Sequence, residues 1–70
     1  MNSIYDVRQL LKQFGVIIYV GDRIGDLELM LTELKDLYTS QLIDPKDYQM
    51  AVLLLKQEIQ KEKEKRLKGD

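Results

Sequence analysis

Five residues in the first third of the chain carry side chains suited to gripping a nucleic acid: Tyr5, Arg8, Lys12, Tyr19 and Arg23. An aromatic ring stacks on a base for ~1–3 kcal/mol without any need for net positive charge, and basic groups meet the phosphates. Tyr19 beside Arg23 is the centre of this set. Brought onto one face, the five would make a surface for single-stranded RNA or DNA. A tyrosine also packs well on a core with its hydroxyl at the rim, and that role is the preferred reading of Tyr19.

Carboxylates form a second set in the stretch Tyr19–Met30. Asp22, Asp26 and Glu28 could hold a hard cation through oxygen, yet no loop has EF-hand spacing. They serve better as a helix cap and as negative charge at the positive end of a helix dipole. The run Gly21-Asp22-Arg23-Ile24-Gly25-Asp26 could cradle a phosphate at a helix start. It lacks the lysine and Ser/Thr of a phosphate-binding loop, and Asp22 already takes the anion's place. Catalysis finds little to work with. The chain has no histidine and no cysteine, and Ser3, Thr32, Thr39 and Ser40 have no evident activating base. The expectation is no enzyme, no metal and no cofactor.

These side chains must be positioned by a small scaffold. The chain has 70 residues, a size that buries only ~60% of its unfolded surface. No disulfide or Cys/His zinc site can staple it. The lack of cysteine favours a reducing, cytoplasmic setting. The longest apolar run, Met50-Ala51-Val52-Leu53-Leu54-Leu55, is far short of the ~20 residues of a membrane span, so no membrane partner is expected. A net charge of −1 is no footprint of a duplex-DNA binder.

Hydrophobic spacing predicts three helices, at about 4–14, 23–40 and 45–66, in a single domain over 1–70. The first is capped by Ser3 and carries Ile4, Val7, Leu10, Leu11 and Phe14 on one stripe, ended by Gly15. Tyr5 falls off that stripe. The second is capped by Asp22, with Ile24, Leu27, Leu31, Leu34 and Tyr38 inward and Met30 and Leu37 flanking. Asp26 falls on its far side, Leu29 points away from the stripe, and Gly25, costly in a first turn, is explained only by the close approach of another backbone or a ligand. The third opens on Asp44-Pro45, with cap and proline in the favoured order. Tyr48, Ala51, Val52, Leu55 and Ile59 form its stripe. Beyond Ile59, Glu62 with Arg66 and Glu64 with Lys68 predict a solvated helical extension held by i,i+4 pairs.

Val16-Ile17-Ile18-Tyr19-Val20 is rich in β-branched residues but has no strand partner in the chain. It reads first as a buried connector across the helices. A continuation of the first helix past a kink at Gly15 comes second, and an edge that pairs with a second copy third. Short links make the second and third helices an antiparallel hairpin, with the first packed across it. The fold class is all-α, a small three-helix bundle.

Leu29, Met50, Leu53 and Leu54 lie off the stripes and could meet a protein partner or a second copy. A bundle in which the first helix covers part of the third accounts for the same residues equally well.

Tyr5-Asp6-Val7, Tyr19-Val20-Gly21-Asp22-Arg23, Asp26-Leu27-Glu28-Leu29-Met30 and the run Leu55 to Lys63, LKQEIQKEK, carry a family likeness. With them, nearly the whole chain resembles the YqgQ family of small bacterial proteins of unknown function. The resemblance implies a cytosolic three-helix protein of Gram-positive type and brings no activity or catalytic motif. The expected function is that of a non-enzymatic helical binding module. It meets a protein or a second copy of itself, or alternatively single-stranded nucleic acid.

Overall fold

The computed structural model describes residues 1–68, which form α1 (Ile4–Gln13), α2 (Arg23–Thr39) and α3 (Pro45–Lys68). Gly69 and Asp70, the end of the expected single domain, lie outside the described residues. The architecture is an all-α three-helix bundle.

Each helix begins and ends for a local reason. Ser3 stands extended at the N-cap of α1, but its hydroxyl makes no cap bond. Asp6 supplies the reach instead, its Oδ2 accepting from the Asn2 N–H at 2.8 Å, since a charged acceptor bonds a free N–H more strongly than a hydroxyl. At the other end Gly15 takes φ +78°. Gly15 N–H donates to Lys12 O at 2.9 Å and Val16 N–H to Leu11 O at 3.0 Å, a Schellman closure. That turn makes Phe14 the C-cap and leaves it exposed, against its expected place on the stripe. The left-handed Gly15 also ends the helix outright, so residues 16–20 are a connector and not a kinked continuation. The expected burial holds only in part, at Val16 and Ile18, and fails at Ile17, Val20 and Tyr19, which does not pack on the core.

Asp22 caps α2 by accepting from Gly25 N–H at 2.9 Å, and Asp44 caps α3 by accepting from Asp47 N–H at 2.8 Å. The end of α2 repeats the Schellman closure, Gln41 N–H to Tyr38 O and Leu42 N–H to Leu37 O, both 2.9 Å. Here the left-handed residue is Gln41, at φ 62°.

The core gathers Val7 and Leu11 from α1, Leu27, Met30, Leu34 and Leu37 from α2, and Ala51, Leu55 and Ile59 from α3. Ile43 closes it at the turn. Met30 and Leu37 are therefore central, not flanking, whereas Ile24 and Leu31 are only half-buried and Tyr38 is exposed. The buried face of α2 is rotated by about half a residue step, ~50°, from the expected stripe. Because the connector and α1 cover that side, the rotation brings in Asp26, which is 5% exposed, in place of the expected far-side position.

Tyr38 stacks on Tyr48 at 4.2 Å between ring centroids and 7° between planes. At the opposite end Arg23 lies 3.6 Å from Glu58. Together these contacts fix α2 and α3 as antiparallel. The end of α3 also departs from its expected pairs. Glu62 pairs with Lys65 at 3.2 Å, Glu64 accepts from Gln60, and Arg66 reaches Asp22 at 2.6 Å. Because α3 overruns the start of α2, the Asp22 carboxylate is the nearest strong partner for Arg66. The expected solvated extension is thus tied back to the bundle.

Candidate functional site

The connector organises most of the aromatic, basic and acidic residues singled out by the sequence. Val16 and Ile18 are half-buried against the core. Ile17 and Tyr19 point outward, 78% and 84% exposed, and Val20 is exposed beside them. Arg8 from α1 donates from Nη1 to Ile18 O at 3.2 Å. Asp26 from α2 accepts the Val20 N–H on Oδ1 at 2.7 Å. A buried carboxylate with a bonded oxygen acts here as a staple between connector and helix. Such a bond answers the demand that buried polar groups be paired.

Of the five aromatic and basic residues, Arg8, Tyr19 and Arg23 surround one shallow concavity with Gly21 and Asp26. Tyr5 lines the next groove with Arg23, between the start of α1 and α3. Lys12 stands on the other side, sharing with Arg8 a cavity of about 170 Å³ lined by Leu11, Val16, Ile17, Ile18 and Met30. The structure thus unites three of the five and sets two in flanking grooves. Both arginines are partly engaged by their own chain, Arg8 by Ile18 O and Arg23 by Glu58. Asp26 and Glu58 dilute the positive field around Tyr19.

Of the four apolar candidates, Leu29, Met50 and Leu53 are exposed, Leu53 by 58%. Leu54 is not free. It packs half-buried against the core and lines the groove beside Ile4 and Tyr5, where α1 covers α3. Ile17 and Val20, like Leu42 and Leu67, are exposed apolar residues that the sequence did not single out as contacts. For Ile17 and Val20 the signal was present in a β-branched run without a partner, but its outward members could not be told from its inward ones.

Gly25 also has its reason. A Cβ there would sit 3.0 Å from Asp22 Oδ2 and 3.5 Å from a Val20 methyl. The approach is by the cap and the connector of the same chain. The Arg66 guanidinium bonded to Asp22, aided by the Gly25 N–H, holds the Asp22 carboxyl below the usual aspartate range. The Thr32 and Thr39 hydroxyls donate to Glu28 O and Lys35 O of their own helix. No helix among the described residues is long and apolar enough to cross a membrane.

Residues 1–61 match the model of a family described as YqgQ-like. The chain is also 46% identical, over 63 residues, to a protein of Bacillus subtilis (strain 168) described as uncharacterized protein YqgQ. That alignment covers 90% of this chain and 89% of the relative.

Proposed function

We propose, from the premise that this chain belongs to the YqgQ-like family, that it is a cytoplasmic, non-enzymatic module that binds protein by self-association. The observation that carries this is the outward display of Ile17, Tyr19 and Val20 on a connector whose other side is stapled to the bundle. Contiguous exposed apolar side chains on a rigid support favour a macromolecular contact over solvent. Leu29 and Leu53 add apolar area elsewhere. The lack of histidine and cysteine supports a role without chemistry. Sedimentation equilibrium from low micromolar to near-millimolar protein tests the reading. A concentration-dependent dimer is expected, and a monomer at every concentration would sink it.

A second reading, binding of single-stranded RNA or DNA, draws on the grouping of Arg8, Tyr19 and Arg23 around one concavity. Titration with fluorescent single strands at low and physiological salt, beside a Tyr19→Ala, Arg23→Ala double variant, tests it. Micromolar binding that weakens with salt and drops in the folded variant would support this reading. No binding at low salt would end it.

A further inference from the structure

We infer that a second copy of this chain pairs with the outer edge of residues 16–20 as an antiparallel β-strand, Ile17 of one copy opposite Tyr19 of the other. The inference rests on the self-association reading and names its contact.

In an extended segment the N–H and C=O of one residue point to the same edge, and the next residue points to the opposite one. The connector keeps negative φ between the two positive-φ glycines, Gly15 and Gly21, and its burial alternates from Val16 to Tyr19. Its inner edge is taken by its own helices, and every bond falls on an even-numbered residue. Val16 N–H goes to Leu11 O, Ile18 O receives Arg8, and Val20 N–H goes to Asp26. The outer edge belongs to Ile17 and Tyr19. Among the described residues neither N–H nor C=O of these two has a hydrogen-bond partner.

That edge is complementary to itself. A two-fold axis through Ile18 lets Ile17 and the partner's Tyr19 exchange both of their backbone hydrogen bonds, and symmetry repeats the exchange. The β-branched side chain and the aromatic ring then stand side by side on the exposed face, a favoured cross-strand pair. Ile17 also lines the cavity of about 170 Å³ with Leu11, Val16 and Met30. The partner's Tyr19 ring is thereby set at its mouth, near Arg8 and Lys12, which share the lining.

The bond pattern selects the antiparallel sense and the identical partner. Only in an antiparallel pair do two facing residues exchange both backbone bonds, and a second copy offers the same free edge, Ile17 and Tyr19, in the matching register.

Amide hydrogen exchange, read residue by residue at several protein concentrations, tests the inference on the full chain. Exchange at Ile17 and Tyr19 is expected to slow by roughly tenfold or more as the dimer fills, with Ile18 little changed as the inner-edge reference. Tyr19→Asp, at a site without a structural bond, is expected to weaken dimerisation by roughly tenfold or more at unchanged helicity. Leu53→Asp should leave it intact. A dimer lost on Leu53→Asp, with Ile17 and Tyr19 unprotected, would overturn the strand contact and leave self-association standing. A monomer throughout would remove both.

Discussion

At Gly25 a helix penalty and a steric requirement compete. Glycine costs a helix up to ~1 kcal/mol against alanine, but a Cβ would press on the Asp22 carboxylate at 3.0 Å. Gly25→Ala should therefore stabilise an Asp22→Ala background by up to ~1 kcal/mol and give a smaller gain, or a loss, in the parent chain. Thermal unfolding of the four proteins in that cycle reads the difference. Asp22 itself makes stability depend on pH. Its folded carboxyl is held below the unfolded value by Arg66 and Gly25. Its contribution is then fully present above the ordinary aspartate pKa, about 4, and is lost as pH falls through the lower folded value. Carbon-detected titration of the Asp22 carboxyl should find it depressed, and Arg66→Gln should move it upward. Gln41, left-handed at φ 62°, gives the simplest residue-scale expectation. Gln41→Gly should stabilise the chain by up to ~1 kcal/mol, raising Tm by a few degrees, because glycine adopts that conformation without a Cβ clash.

Among the elements, the helices and the connector differ in what holds them. Caps and stripes are local, so all three helices were legible. Asp22 and Asp44 cap where their types and positions place them, and the structure's ends at Gln13 and Thr39 lie one residue inside those expected. The connector owes its path to groups far along the chain or on another element. Asp26 shows the difference, since helical periodicity put it on the solvent side while its bond to Val20 buries it. Asp26→Ala should cost about 1–3 kcal/mol, the usual effect of leaving a part-buried N–H unmet. Asp26→Asn, which keeps an acceptor oxygen, should cost less than half as much. Chemical denaturation gives the energies, and faster exchange of the Val20 amide in the alanine variant alone would locate the effect.

For the whole molecule, one small core carries the fold without a disulfide. Leu55 is fully buried at its centre. Leu55→Ala should cost ~2–5 kcal/mol, enough to leave much of a chain this small unfolded at ambient temperature. Circular dichroism during a urea titration would show it as a lost or early transition. Of the candidate surfaces, the sequence supplied the residue types but not their grouping. Arg8, Tyr19 and Arg23 meet because the connector folds back between α1 and α2. Leu54 is withdrawn because α1 lies over it.

The sequence by itself determined the three helices, their caps at Asp22 and Asp44, the stop at Gly15 and the all-α class. These follow from period, capping chemistry and backbone freedom within a turn or two of chain. Only the tertiary structure decided the ~50° rotation of α2, the burial of Asp26, the reach of Arg66 to Asp22 and the outward edge of Ile17 and Tyr19. Each depends on which surface another element covers. That choice is made by packing between residues distant in sequence, where local pattern carries no information.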